Sequence, residues 1–189
     1  MLKACAIFTV IVCFGPSPVP ELQPLEPVLD PVAYAVYAAV IPLAWANVSR
    51  EKVLLLQKET DGIERVSPSC FSSNKVADSE WDAAVKNFEQ ANVRVRVLQR
   101  LLPIDVPYRL ISKADIQADD ARLRLKYPGM WQRLPESMEF AAVSTVGFNP
   151  AKTKAIVYVR LRGQGDVYSR ELREGHWVAA ERNGCGWIA

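Results

Sequence analysis

The stretch STVGFNPAKTKAIVYVRLRG, Ser144 to Gly163, is the most patterned in the 189-residue chain, and its reading decides the fold. Asn149-Pro150 after Val-Gly-Phe is turn chemistry, because Pro fixes φ at the second turn position and Asn favours the first. Gly147, inside a strand pattern, predicts a bulge or a close approach of another backbone. Beyond the turn, Ala155, Val157, Val159 and Leu161 share one face of a strand, while Lys154, Ile156, Tyr158, Arg160 and Arg162 share the other. The first set reads as the inward one. The stretch is therefore expected to be sheet, not a catalytic motif.

Working outward, GQGD (163–166) predicts a hairpin turn with Arg162 opposite Val167, Val159 opposite Arg170 and Val157 opposite Leu172. Glu174-Gly175 predicts a second tight turn that pairs Leu172 with Trp177. Val157, Leu172 and Trp177 then stack as one core layer. Arg170 falls on the same face, within diagonal reach of Glu181, as an ion pair of little worth if exposed. From Met138 the alternation gives four strands, near 138–147, 153–162, 166–173 and 176–182.

These residues carry a resemblance. STVGFNPAKTKAIVYV, a hairpin and then GHWVAAE…WIA resemble the C-terminal part of a group of bacterial exported proteins of unknown function. Their tails run Ser-x-Val-Gly-Phe-Asn, a turn, Ala-x-Val-Tyr-Val, a Gly-rich hairpin and Gly-Lys-Trp. VPYRLIS (106–112) and the YPG region (127–129) resemble the blocks before it. The likeness covers about the last 85 residues well and the rest loosely. This chain has RGQGDVY in place of a Cys-Gly-rich hairpin and His176 where Lys is usual. The resemblance implies an exported domain and no activity, cofactor or residue role.

Upstream, Asp30 and Pro31 form a start signal for a helix over DPVAYAVYAAVIPLAWANVS, with Asp30 as N-cap and Pro at the first helical position. This segment is apolar nearly all round but shorter than the ~20 residues a spanning helix needs, so it reads as a core helix. Pro42 is expected to kink or end it. Asn47-Val48-Ser49 matches the N-glycosylation pattern, relevant only in a eukaryotic secretory pathway. Val53–Lys58 reads as a strand, followed by a loop containing Cys70. Trp81, Ala84, Val85 and Phe88 fall at i, i+3, i+4 and i+7, an amphipathic helix that Asp78 or Ser79 can cap. NVRVRVLQRLLP (92–103) suits either a strand or a continuing helix, with Arg94, Arg96 and Arg100 as a solvated face. Val106–Ser112 is a short strand, and weak helix and turns fill the stretch to Glu136. Helices first and a β-meander last predict a single α+β domain, helices packed on one face of an antiparallel sheet.

At the N-terminus, Met-Leu-Lys precedes an apolar run, Ala4 to Gly15, of signal-peptide length. We read residues 1–17 as a signal peptide, 18–29 as a Pro-rich linker of extended, polyproline-like character, and 30–189 as the domain. The cleavage point stays open. Lipid attachment at Cys13 is disfavoured by the Val-Ile-Val before it, so a membrane association is expected only through this N-terminal segment. Cys70 and Cys185 are then the two thiols of the mature chain, and in an oxidising compartment an isolated pair reads as one disulfide; two unrelated buried thiols is the alternative.

Half the residues are hydrophobic and 23% charged, the balance of an ordinary globular domain. Lys plus Arg number 23 against 21 for Asp plus Glu, so no global charge pulls the chain toward nucleic acid. His176 is the single imidazole, expected on the outer face beside a tight turn and next to Arg173. Gly-x-Ser-x-Gly, phosphate-binding Gly loops, Cys-x-x-Cys and His-Glu-x-x-His do not occur. Two cysteines and one histidine do not make a zinc site. Asp119-Asp120 reads as a solvated helix start. The sequence thus predicts no catalytic, cofactor or metal residue. The expectation is an exported module, secreted or periplasmic, that binds a protein or small ligand through its sheet or a helix–sheet cleft. The alternative is a small hydrolase whose two carboxylates are distant in sequence and close in space.

Overall fold

The computed structural model describes residues 25–28, 30–46, 53–63, 66, 70, 78–118, 140–161, 164–180 and 185–188, the last segment and Ala46 by backbone only. Asn47-Val48-Ser49, Asp119-Asp120, the YPG region, Glu181 and the segment read as a signal peptide lie outside these residues.

Helix α1 spans Pro31–Ala46. Asp30 caps it, its Oδ1 accepting from the N–H of Val32 at 3.0 Å. The helix runs through Pro42 instead of ending there. Proline removes one backbone hydrogen bond, and the burial of Ile41, Ala44 and Trp45 around it offsets that loss. Helix α2 spans Ser79–Ala91, and of its two candidate caps Asp78 serves, accepting from the N–H groups of Glu80 and Trp81.

Eight strands form one mixed sheet among the described residues. They are β1 (Leu54–Gln57), β2 (Tyr108–Ile111), β3 (Phe140–Val143), β4 (Gly147–Phe148), β5 (Lys154–Leu161), β6 (Gln164–Arg173), β7 (His176–Ala179) and β8 (Cys185–Ile188). The order is β2-β1-β3-β5-β6-β7, with β4 also on β5 and β8 also on β6. β1 pairs parallel with both β2 and β3, and every other pairing is antiparallel. The expected wholly antiparallel sheet is therefore corrected to a mixed one. β1 and β2 enter by long connections, which parallel pairing requires.

The expectation that the helices share one face is also corrected. Successive β5 residues point to opposite faces. Ala155, Val157, Val159 and Leu161 belong to the core that α1 closes, with Tyr37, Val40 and Ile41. Ile156 and Tyr158 belong to a second core closed by Trp81, Ala84 and Phe88 of α2. β5 is buried on both sides, one helix per face. Tyr158 is 1% exposed, and Arg160 donates to Asp61 at 2.6 Å.

The meander register differs from expectation by four residues. Val157 faces Tyr168 and Val159 faces Asp166, with Leu161 already paired to Gln164. Gln164, Gly165 and Asp166 of GQGD therefore lie within β6 instead of forming the turn. Because four is even, no side chain changes face. Leu172 pairs with Trp177 as expected. Glu174 (φ 52°) and Gly175 (φ 80°) make the tight turn with both φ values positive, the geometry of a two-residue hairpin.

Candidate functional site

The segment between β3 and β4 is a bulge. Val143 pairs with Val159 and Gly147 with Ile156, so Ser144, Thr145 and Val146 oppose only Tyr158 and Val157. Such an extra residue breaks the ladder and bends the strand. Ser144 repairs part of the loss with its own side chain. Its N–H donates to the Tyr158 carbonyl, and its Oγ accepts from the Tyr158 N–H at 2.9 Å. The hydroxyl of the fully buried Tyr37 donates to the Ser144 carbonyl at 2.9 Å. Burial pushes the Tyr37 pKa well up, so it remains a neutral donor.

β1 reaches only as far as Phe140 and Ala141 of β3, and among the described residues no strand lies on the outer side of β4. Two asparagines of the α2 region take that place. Asn92 accepts from the Thr145 N–H at 2.8 Å and donates to the Thr145 carbonyl at 2.9 Å, closing a reciprocal pair as a strand would. Asn87 accepts from the Phe148 N–H at 2.9 Å. Buried backbone groups must be paired, and here amide side chains supply the pairing. Gly147 lets the helix come this close: a Cβ there would lie 2.3 Å from the Phe88 Cα.

This gap in the sheet edge opens into a cleft of about 520 Å³ between the start of α1, one side of α2 and residues 145–152. From α2 come Ala83, Lys86, Asn87, Gln90 and Ala91, spaced i, i+3, i+4, i+7 and i+8. They form a stripe beside the Trp81–Ala84–Phe88 stripe that faces the sheet. Val28, Ala33, Val146, Phe148 and Pro150 supply an apolar wall. Asp30 is the one carboxylate of the lining, and it holds Lys152 at 2.8 Å. The turn beneath is the expected one: the Lys152 N–H donates to the Asn149 carbonyl, and Asn149 Oδ1 accepts from Thr153 and Lys154.

Arg96 also lines the cleft, and this corrects its reading as part of a solvated face. The segment around it is neither strand nor helix but an extended run fixed from both sides. Thr60 accepts from the Arg96 N–H through Oγ1 and donates its own N–H to the Arg96 carbonyl. Val97 pairs with Glu26 and Val28, so the end of the Pro-rich stretch packs on the domain. The Arg96 side chain lies 3.8 Å from an exposed Glu26 carboxylate, a weak surface pair. Among the described residues, three side-chain atoms are buried without a hydrogen-bond partner: Arg96 Nε and Thr145 Oγ1 in this lining, and Arg170 Nε on β6. Arg94 and Arg100 stay exposed, as expected.

The remaining candidates lie elsewhere. His176 is exposed beside the Glu174-Gly175 turn, opposite Arg173. Cys70 is disulfide-bonded; the side chain of Cys185, and with it the expected pairing, lies outside the described residues, although β8 sets Cys185 across from Val167. Asp166 on β6 is the carboxylate whose pKa burial raises, and it stands beside Tyr168 on the α1 face of the sheet. Among the described residues no three His, Cys, Asp or Glu side chains gather as a metal site, and no helix is long and apolar enough to cross a membrane. The chain matches no family model, and no curated protein or solved structure matches it.

Proposed function

We propose that this chain is an exported, non-enzymatic binding module whose ligand seat is the cleft between α1, α2 and residues 145–152. The observation that carries the reading is how the cleft is built. Three separated chain segments converge on a gap in the sheet edge, with an apolar wall on one side and amide and cationic groups on the other. That mixture is the usual composition of a small-ligand site. A carboxylate-based hydrolase would need two facing acids there, whereas the lining carries Asp30 alone, already engaged with Lys152 and the α1 N-terminus. Export is supported by the apolar run before the Pro-rich stretch and by the disulfide at Cys70, a bond that persists in oxidising compartments. Cys185 is its proposed partner.

A fragment screen read by amide chemical shifts on the domain from residue 25 onward tests the cleft. Perturbations are expected to cluster on Ala33, Lys86, Gln90, Arg96 and Val146. Hits scattered over the sheet ends, or grouped around Asp166, would overturn it.

A further inference from the structure

We infer that the cleft takes a small organic carboxylate, an acid with an apolar body, whose carboxylate meets Arg96 and Thr145. This rests on the cleft being the ligand seat and adds the chemistry of what sits in it. Two observations point the same way. Thr145 is only 8% exposed, yet its Oγ1 has no hydrogen-bond partner among the described residues. The Nε atom of Arg96 is also buried and unpartnered, on a side chain that lines the same cleft and whose Nη2 lies 3.8 Å from Glu26. An unsatisfied buried donor is costly, and native proteins seldom leave one without a use. Both groups can donate, and a guanidinium N–H and a hydroxyl lining one cleft can each meet an oxygen of a carboxylate.

The surroundings make that pair a placed one. The Arg96 backbone is held in both directions by Thr60. The Thr145 backbone is held in both directions by Asn92. These bonds fix where each side chain leaves the backbone. Charge agrees: with Lys152 and Asp30 paired to each other, Lys86 and Arg96 remain as cations of the lining, Arg96 with only the weak, exposed Glu26 pair. Val28, Ala33, Val146, Phe148 and Pro150 give an apolar body its contact area, which a bare inorganic anion would leave unused. Preorganised donors beside an apolar wall select for an amphipathic anion.

The test titrates the domain with benzoate, benzyl alcohol and inorganic phosphate, following amide shifts. Benzoate is expected to shift cleft amides saturably, with benzyl alcohol and phosphate at least tenfold weaker. Arg96→Gln should weaken benzoate at least tenfold, and Lys86→Gln, on an exposed helix position, by a few-fold with the fold untouched. Thr145→Val is the discriminating variant. It removes an unsatisfied hydroxyl at nearly constant shape, so Tm should hold or rise while benzoate affinity falls several-fold. A merely structural threonine would leave binding unchanged, and that result would overturn the inference. So would benzyl alcohol binding as tightly as benzoate, or phosphate matching it. If the fragment screen fills the cleft while no carboxylate does, this inference fails alone. If nothing reaches the cleft, the proposed ligand seat fails with it.

Discussion

A Cβ at position 147 would stand 2.3 Å from both Cα and Cβ of Phe88. The obstacle is backbone, which no rotamer change can clear, so α2 itself would have to retreat from β4. Overpacking of this kind costs about 1–3 kcal/mol or more. Gly147→Ala should therefore lower the urea midpoint with little change in slope, and because Asn87 and Asn92 ride on the same helix it should also expose the Thr145 and Phe148 amides to hydrogen exchange. An unchanged midpoint would mean the helix does not seat on this glycine. Asp78 makes a second residue-scale case. Its carboxylate is held below the usual range by its bond to Lys154, despite some desolvation, with the first α2 N–H groups adding to the effect. Lys154, pulled down by burial, is lifted above its ordinary value by Asp78 and Glu80. A depressed carboxylate contributes stability that is complete above its unfolded pKa of 3.8 and lost as pH falls through the lower folded one. The raised lysine contributes below 10.5 and loses its share as pH climbs through the higher folded value. Asp78→Asn keeps a capping side chain but removes the charge, so its stability should fall less than the parent's as pH drops below 3.8. Parallel acid profiles for the two proteins would sink this account.

Among the elements, the β6–β7 hairpin offers the sharpest contrast. Trp177 packs on the α1-side core with its ring 6.0 Å from Phe148, while its neighbour His176 is exposed. Full burial of an aromatic makes its truncation cost about 3–5 kcal/mol; Trp177 is part-buried, so Trp177→Ala should cost about 2 kcal/mol by that scale. His176→Ala should stay within about 0.5 kcal/mol, measured by chemical denaturation of both variants. Equal losses would contradict the register. This hairpin was legible because its signals are local: alternation, Glu-Gly between strands, and a tryptophan whose face follows from parity. α2 was legible for the same reason. The β5–β6 register was not, because several turn-forming residues between 162 and 166 compete and periodicity fixes only whether the shift is odd or even. The second core escaped notice since Lys154 and Arg160 flank Ile156 and Tyr158, which makes a buried face look solvated. Parallel pairing of β1 leaves no mark in a four-residue strand. The cleft was least legible of all: Arg96 and Thr145 lie far apart in the chain, and only the bulge at Ser144–Val146 and the asparagines that seal its edge bring their neighbourhoods together.

At the scale of the whole molecule, the sheet is held from two sides by helices that do not share a core, and the two halves meet mainly through β5 and β6. The α2-side core is the smaller, and Val167 of β6 lies in it with Ile63 and Val66 packed against its margin. The β8 backbone runs along β6 with Cys185 opposite Val167, and the disulfide-bonded Cys70, helical instead of the expected loop, follows Val66 by four residues. A Cys70–Cys185 bond would thus tie the last strand to the segment that follows Ile63 and Val66 of the smaller core, joining positions more than a hundred residues apart. The chain-entropy argument gives a closed loop of that length about 4–5 kcal/mol, by restricting the unfolded chain. Residues 25–189 hold these two cysteines alone, so unreduced protein of that span should show no titratable thiol under denaturant and should lose several kcal/mol of stability on reduction. Cys185→Ala should match the reduced protein in denaturation midpoint and leave one free thiol. Two free thiols in the unreduced protein would refute the pairing, and a Cys185→Ala variant as stable as the parent would show that β8 needs no tie. The fragment screen repeated on reduced protein separates scaffold from seat. The cleft uses the Ala83–Ala91 stripe of α2, beside the stripe that faces the smaller core, so its shifts should survive reduction while amides of β8, Ile63 and Val66 lose protection.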